Sequence, residues 1–363
     1  MFTAGLAVGA VAWVYSSRIY DANFVVARPQ EAGRDLIIRA LNGDVITLGF
    51  EGGAPADLRV DGTFGLEWDG GYGQVGKILD QHTDSVVRQF KPLFGTPARG
   101  TPARLDSFAF PNDPSSLGLA FSEVVIATPL GPAPAWRVPA AGETWAILVH
   151  GKASSRKEAL RLLPTIRDAG LTSLTITYRN DESAPSSPDG RYGYGYNEWE
   201  DIAAAMDYAQ TQGARRFVLV GYSMGGSIIM ALLEQPKYAG LVSGLVLDAP
   251  ALDLKATVDM RGDQRGLPRP VTVLSEMIAA RRYGIDWGRL DYMDGVSELK
   301  APVLLFHSDA DRVVPIKTSD DLAQKRPDLV TYARVPDVAH VRIWNADPAA
   351  YENAVRQFLR RVP

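Results

Sequence analysis

A serine flanked by glycines stands between a strand pattern and a helix pattern. The motif is Gly-Tyr-Ser-Met-Gly at residues 221–225, with Ser223 at its centre. Residues 218–220 form an apolar run typical of a buried parallel strand, and residues 228–232 give the following segment an apolar helical face. A sharp strand-to-helix turn exposes the hydroxyl of its central residue, and only small neighbours fit beside it. The pattern favours Ser223 as the nucleophile of an acyl transfer over an ordinary turn serine.

A serine nucleophile needs a base, and the base needs an acid that orients it. The chain has four histidines, and only His307 and His340 follow Ser223. His340 lies in a loop between a short apolar strand (329–335) and a C-terminal helix (347–361), where an imidazole can reach the end of a sheet. His307 lies where another strand ends, so we predict a structural role for it. His340 is the predicted base.

Three carboxylates compete for the role of the orienting acid. Asp311 stands directly before Arg-Val-Val-Pro at the end of a strand, and this spacing favours it. Asp309 is predicted to shape the same loop, because aspartate forms local hydrogen bonds in turns. Asp248, at the end of the preceding strand, ranks well behind Asp311. His307 and Asp309 lack a third ligand at a suitable spacing, so we predict no metal site.

Acyl transfer also needs hydrogen-bond donors for the negatively charged oxygen of the intermediate. One predicted donor is the backbone N–H of Met224, at the start of the helix that follows the nucleophile. The other is the backbone N–H of Lys152, because the apolar strand 145–150 ends in His150-Gly151 and the glycine permits a sharp turn. His150 is predicted to brace this loop, and the Lys152 side chain is predicted to be solvated.

Together these motifs resemble the α/β-hydrolase superfamily, and in particular its serine aminopeptidase and prolyl oligopeptidase-like branch. The resemblance to the catalytic fold covers about residues 122–363. It implies an α/β-hydrolase fold, with a mostly parallel central sheet flanked by helices, and a serine hydrolase that forms a covalent acyl-enzyme without a cofactor. Three further segments are similar to a group of actinobacterial hydrolases with an N-terminal membrane segment: residues 178–181, 197–201 and 344–348.

Composition limits the remaining possibilities. A chain of 363 residues with 46% hydrophobic residues can hold one large α/β domain and an accessory piece. A net charge of −4 and a pI near 5.7 argue against a nucleic-acid partner. The absence of cysteine excludes disulfides and thiol chemistry.

The N-terminal region is predicted to be a membrane anchor or an apolar segment packed on the protein. Residues 1–15 carry no charge, and the segment is taken to end at residue 18. The run is short for a membrane span, which needs about 20 residues. The resemblance to the anchored group favours membrane association through residues 1–15, with the enzyme facing outward; the alternative is a cytoplasmic protein.

Residues 19–121 are predicted to form a β-rich accessory region, with strands at 45–50 and 64–68. Residues 71–76 match the letters of a dinucleotide-binding fingerprint, but no strand–helix–strand unit surrounds them. We therefore predict a tight turn there and no bound cofactor.

Residues 122–363 are predicted to form the catalytic domain, because strand and helix patterns alternate as a parallel sheet requires. The alternation lapses at about 251–300, which we predict to be a helical cap over the strand ends. The predicted elements before the cap are strands at 124–127, near 136, 145–150, 173–178 and 244–247, and helices at 155–168 and 198–212.

The sequence predicts a serine hydrolase acting on a small, lipid-like acyl substrate, with ester cleavage favoured. Two alternatives stay open: a serine peptidase of the same superfamily, and a non-catalytic cell-envelope binding protein. A peptidase would need a site for a substrate amine or proline, and the sequence identifies none.

Overall fold

The computed structural model of the protein describes residues 2–26 and 33–362. Met1, residues 27–32 and Pro363 fall within the predicted segments but lie outside the described residues. The described chain begins with helix α1 (Phe2–Asn23) and continues into a β-barrel. A larger eight-stranded sheet follows the barrel.

Six antiparallel strands form the closed barrel, in the order β1-β2-β5-β4-β3-β6. They are β1 (Leu36–Asn42), β2 (Val45–Phe50), β3 (Phe64–Trp68), β4 (Gly71–Gln81), β5 (Ser85–Phe94) and β6 (Pro102–Asp106). The two predicted strands, at 45–50 and 64–68, are confirmed as β2 and β3. The barrel has its own apolar core, separate from those of the large sheet.

The glycine-rich segment 71–76 is part of strand β4, so the prediction of a tight turn there is wrong. The turn is formed instead by Asp69 and Gly70, just before the strand. Close packing explains a glycine in this strand. A Cβ atom on Gly73 would lie 2.5 Å from the Phe90 ring and 2.9 Å from the Lys91 carbonyl oxygen.

The large sheet has the strand order β14-β13-β12-β11-β9-β10-β8-β7. Its strands are β7 (Ser122–Thr128), β8 (Gly131–Val138), β9 (Thr144–Val149), β10 (Thr172–Ile176), β11 (Arg216–Tyr222), β12 (Val242–Asp248), β13 (Val303–Ser308) and β14 (Val330–Val335). Strands β9 to β14 run parallel, while β7 and β8 are antiparallel to their neighbours. The mostly parallel sheet predicted from the sequence is therefore confirmed.

The helices of this part of the chain flank both faces of the sheet or lie in the segment between β12 and β13. They are α2 (Leu163–Asp168), α3 (Trp199–Thr211), α4 (Met224–Leu233), α5 (Pro236–Ala239), α6 (Leu254–Gln264), α7 (Arg269–Tyr283), α8 (Lys317–Lys325), α9 (Ile343–Ala346) and α10 (Pro348–Leu359). Alternate residues of β11 face opposite layers: Phe217 and Leu219 pack with one apolar core, and Val218 and Val220 with the other.

The segment predicted as one helix over 155–168 is divided in two. A 3₁₀ helix covers Arg156–Leu162, and α2 begins at Leu163. Pro164 explains the division, because its ring would clash with the carbonyl four residues earlier in a continuous α-helix.

Helices α6 and α7 lie between β12 and β13, where a helical cap is predicted. Helix α1 packs against α7: the Tyr20 ring stacks on Tyr283 at 4.1 Å between centroids, and the Arg282 guanidinium donates to the Ser16 hydroxyl at 2.8 Å. Across residues 2–26 and 33–362, no helix combines the length and the apolar character needed to cross a bilayer. The predicted membrane anchor finds no support there.

A buried carboxyl group, Glu276, joins α7 to α6. Lys255 lies 2.8 Å from Glu276 and also pairs with Asp259 at 3.2 Å. Burial raises the pKa of Glu276 to about 7, the Asp259 carboxylate adds to this increase, and Lys255 opposes it. The folded state therefore binds a proton at Glu276 more tightly than the unfolded state does.

This difference predicts a pH-dependent stability. As pH rises from 5 to 8, the unfolded chain has lost most of its Glu276 proton while the folded chain still loses it, so the free energy of unfolding falls by on the order of 2 kcal/mol. Glu276→Gln should remove this part of the decline, measured by urea unfolding at several pH values. Glu51→Gln, at an exposed position just after β2, is the control. Parallel stability curves for wild type and Glu276→Gln would contradict the prediction.

Candidate active site

Ser223 occupies the turn between β11 and α4, with φ 50° and ψ −115°. Positive φ is uncommon for a residue with a side chain and persists only where the surroundings hold it. Here the Ser223 N–H donates to the Asp248 carbonyl at 2.9 Å, and the Ser223 carbonyl accepts from the N–H of Ala251 at 3.1 Å. The backbone on both sides of the turn is thus fixed by the end of β12 and the loop that follows it.

The two glycines of the motif are required by close backbone approach. A Cβ atom on Gly225 would lie 2.2 Å from the Val149 carbonyl oxygen, and one on Gly221 would lie 2.9 Å from the Gly225 carbonyl carbon. These neighbours are main-chain atoms that cannot rotate away. The sharp strand-to-helix turn predicted from the motif is therefore present for the predicted reason.

Ser223, His340 and Asp311 come together at the carboxyl edge of the sheet. The Ser223 Oγ lies 2.9 Å from the His340 Nε2, and the His340 Nδ1 lies 2.6 Å from the Asp311 Oδ2. Ser223 follows β11, Asp311 follows β13 and His340 follows β14, all parallel strands that end at the same edge. An Nδ1–H that donates to Asp311 leaves Nε2 free to accept the serine proton.

Asp311 is held as a carboxylate from several directions. Its Oδ1 accepts the backbone N–H groups of Val313 at 2.7 Å and Val314 at 3.0 Å, and its Oδ2 also lies 3.2 Å from the His307 Nε2. Burial opposes ionisation, but the hydrogen bonds from His307, His340 and the backbone hold the Asp311 pKa well below its usual range. The carboxylate can therefore stabilise a positive charge on His340.

The other two carboxylates lie in different surroundings. Asp309 accepts the Asp337 N–H at 3.0 Å and lies 3.2 Å from the Arg334 guanidinium, so it shapes the loop that leads to His340. Asp248 is buried, and its Oδ2 accepts the Tyr351 hydroxyl at 3.0 Å. Burial raises the Asp248 pKa, with partial opposition from Arg161.

Met224 directly follows Ser223, and Gly151, the residue before Lys152, packs against it. Met224 is the first residue of α4, so its N–H has no carbonyl one turn earlier in the same helix. A Cβ atom on Gly151 would lie 3.3 Å from the Ser223 Cβ, which places the loop after β9 next to the serine. The Gly151 N–H donates to Glu158 at 2.8 Å, and the next amide along the chain is that of Lys152.

The Lys152 side chain is half-buried and hydrogen-bonded to the protein, whereas the sequence predicted a solvated side chain. Its Nζ donates to the Ala22 carbonyl near the end of α1 and lies 5.8 Å from the centre of the Tyr192 ring. Burial and the nearby Arg261 lower the Lys152 pKa to about 8. Helix α1, far away in sequence, covers this lysine.

His150 braces the loop after β9, as predicted. Its Nδ1 lies 2.9 Å from the Gly151 carbonyl oxygen and its Nε2 lies 2.8 Å from the Asp181 Oδ2. Burial opposes protonation, but Asp181 and the Gly151 carbonyl raise the His150 pKa. The ring also stacks on Tyr178, with 4.5 Å between centroids.

Sequence reasoning gave His307 a structural role but missed its contact with Asp311, and it missed two further residues that support the site. His307 contacts Asp311 in addition to Ser319, and its spacing of four residues from Asp311 was the available signal. Glu158 binds the Gly151 amide, and Arg161 donates to the Val341 carbonyl at 3.3 Å. Among the described residues, no cluster of three or more His, Asp or Glu side chains is placed to hold a metal ion.

Family comparison gives two matches. Residues 146–363 match the alpha/beta hydrolase family, and residues 38–106 match a domain of unknown function (DUF8805). The second match falls on the barrel. No curated protein sequence matches the chain.

Similar solved structures include hydrolases at low sequence identity. The esterase Pf2001 from Pyrococcus furiosus has 18% identity and a TM-score of 0.57 in one crystal form, covering 70% of this chain and 95% of that one. In a second crystal form the identity is 18% and the TM-score 0.55, with 69% of this chain and 96% of that one covered. The esterase RhEst1 from Rhodococcus sp. ECU1013 has 18% identity and a TM-score of 0.47, covering 67% and 97%. At these identities the likeness shows the fold alone. Because the family match covers more than half of the chain, this protein belongs to the alpha/beta hydrolase family.

Proposed function

We propose that this hydrolase cleaves carboxylic esters through Ser223, His340 and Asp311. The observation that carries the proposal is the unbroken chain of contacts from the Ser223 hydroxyl to His340 and on to Asp311, at 2.9 and 2.6 Å. A serine in a strained turn, a base within hydrogen-bond distance and an acid on the far side of that base are the parts that acyl transfer requires.

The first half of the reaction forms an acyl-enzyme. His340 takes the proton of the Ser223 hydroxyl at Nε2 while the serine oxygen attacks the ester carbonyl carbon. The backbone amides of Met224 and Lys152 stabilise the resulting oxyanion, aided by the positive end of the α4 dipole. Protonated His340 then gives its proton to the leaving alcohol oxygen as the carbon–oxygen bond breaks.

The second half releases the acid. His340 removes a proton from water, the hydroxide attacks the acyl carbon, and the proton returns to the Ser223 oxygen as its bond to the acyl group breaks. Asp311 remains ionised throughout, since its pKa lies well below its usual range, and it stabilises the imidazolium in both halves.

The substrate proposed is a small, lipid-like acyl ester. The predicted cap begins just after β12, where the Ala251 N–H donates to the Ser223 carbonyl. Apolar residues of the cap would exclude water from the site and so strengthen the interaction between the amides and the oxyanion. Among them Leu290, Tyr292 and Met293 are buried against the main core. The solved neighbour Pf2001 is an esterase, which agrees with ester cleavage.

An activity panel tests the substrate class. We expect a higher kcat/KM for short p-nitrophenyl esters than for aminoacyl or prolyl p-nitroanilides, and labelling of Ser223 by a fluorophosphonate probe identified by peptide mass spectrometry. Faster amide cleavage would make the protein a peptidase. Absence of both labelling and turnover would make it a non-catalytic binding protein.

A further inference from the structure

The barrel contacts the segment that carries His340. Most of the contact is made by residues 55–63, between β2 and β3, which we call the docking loop, and Ser107, just after β6, adds to it. The Thr63 N–H donates to the Asn345 carbonyl at 2.7 Å, and the Asn345 side-chain amide donates to the carbonyls of Thr63 at 2.8 Å and Ser107 at 2.9 Å. Asn345 is fully buried. The two parts of the chain are thus joined by reciprocal hydrogen bonds away from solvent.

The close approach of the docking loop depends on a glycine. Gly62 has φ +137°, and a Cβ atom there would lie 2.4 Å from the Asn345 carbonyl oxygen. The neighbour is again a main-chain atom. The docking loop can therefore approach the segment that carries His340 only with this backbone conformation at Gly62.

A charge pair links the docking loop to His340 itself. The Arg342 Nε donates to the Asp57 Oδ2 at 3.2 Å, and both side chains are about three-quarters buried (27% and 25% exposed). The Arg342 Nη1 also reaches the carbonyl oxygens of His340 at 3.5 Å and Val341 at 3.3 Å. Asp57 therefore holds a guanidinium whose other contacts are the carbonyls of the base and its neighbour.

The docking loop is itself stiffened from inside the barrel. Arg88 is completely buried and donates to the carbonyls of Leu58 and Gly62, each at 2.9 Å, and of Gly76 at 2.7 Å. Hydrogen bonds from a charged donor are stronger than those between neutral groups. The loop thus presents Asp57 from a braced backbone.

The segment around His340 needs such support. Val341 has φ +53°, a strained value for a β-branched residue. Its carbonyl is held on one side by Arg342 and on the other by the buried Arg161 at 3.3 Å. Contacts from outside the segment, among them those from the barrel, therefore support this strained backbone.

We propose that the barrel is a positioning element for the base: Asp57, through Arg342, and the docking loop, through Asn345, hold His340 within reach of Ser223. The inference rests on the proposed function, in which His340 must accept the Ser223 proton. A small displacement of a reacting group costs much of the rate even when the fold persists. This assigns a role to the region that matches a domain of unknown function.

The test compares Asp57→Asn with Asp84→Asn in the full-length protein. Asp84 pairs with Arg39 at 2.7 Å on the exposed surface of the same barrel, so it is a matched control. We expect Asp57→Asn to lower kcat about 10-fold with KM nearly unchanged, because position and not binding is affected. Asp57→Glu, which keeps the carboxylate, should restore much of kcat, and Asp84→Asn should match wild type.

A second measurement separates positioning from general destabilisation. Hydrogen exchange of residues 336–346 should be faster in Asp57→Asn, while exchange in the strands of the large sheet stays as in wild type. Adding Arg342→Gln to Asp57→Asn should lower kcat no further than Arg342→Gln alone does, because both changes break the same contact.

Two results would overturn the inference. One is a wild-type kcat in Asp57→Asn, whether or not hydrogen exchange of residues 336–346 becomes faster. The other is an equal loss of kcat in Asp84→Asn, which would indicate a general effect of the barrel. Failure of the proposed function is seen separately, as turnover that survives Ser223→Ala; the positioning variants are judged only in an enzyme that Ser223→Ala inactivates.

Discussion

Replacing Ser223 by alanine is expected to lower kcat for short p-nitrophenyl esters by roughly 10⁴-fold or more. The change removes the oxygen that forms the acyl-enzyme and leaves His340 with no hydroxyl to activate. Binding and the amide donors would remain, so the residual rate should still exceed that of uncatalysed hydrolysis. The measurement is steady-state kinetics together with the loss of fluorophosphonate labelling.

The control for this variant is Ser227→Ala, one turn later in α4. Ser227 is buried, and its hydroxyl donates to the Ala251 carbonyl and not to His340. It should retain kcat within about threefold, since substitutions away from the reacting atoms leave transition-state stabilisation intact. Thermal unfolding of both variants checks that the fold is kept. Wild-type turnover by Ser223→Ala would refute the proposed nucleophile.

Much of the fold was predictable because the large sheet is built from local signals. Apolar strands alternating with helices predict a parallel sheet, and such strands place their carboxyl ends along one edge. Ser223, Asp311 and His340 each follow a strand of this kind, so their approach in space follows from the topology. Only two histidines come after Ser223, which narrowed the choice of base.

The closed barrel could not be predicted from local sequence patterns. Its closure joins β1 to β6, strands separated by about the whole length of the barrel region, and no short pattern encodes that pairing. The glycines of β4 resemble a turn because glycine is common in turns, whereas here they allow strands and rings to pack closely. The contact between Asp57 and Arg342 spans 285 residues in sequence and leaves no local pattern.

The surroundings of the Lys152 side chain also depend on a contact between residues that are distant in sequence. A lysine in a surface loop is solvated by default, because burying its charge is costly. Helix α1 changes this by bringing the Ala22 carbonyl to the ammonium group over 130 residues of sequence separation. The apolar N-terminal run was recognisable in the sequence, but the surface that it covers was not.

Two aspartates allow a direct test of how the base is oriented. We expect Asp311→Asn to lower kcat roughly 10³- to 10⁴-fold, whereas Asp248→Asn should keep kcat within about fivefold. In Asp311→Asn, an amide NH₂ placed at the Oδ2 position would face the His340 Nδ1–H, which is also a donor. The imidazole would therefore adopt the tautomer in which Nε2 carries the proton and Nδ1 accepts from the amide. That tautomer cannot accept the proton of Ser223.

Asp248 is a suitable comparison because it is the same residue type at the end of a neighbouring strand. Its side chain meets Tyr351 and not His340, and an asparagine carbonyl can still accept the tyrosine hydroxyl. Burial raises the pKa of Asp248, which means that ionising this carboxyl group is costly. Replacing it by a neutral amide should therefore cost little. Kinetics of the two variants, each with its thermal unfolding curve, decide between the two aspartates. A large loss in Asp248→Asn beside a mild one in Asp311→Asn would move the orienting role from β13 to β12.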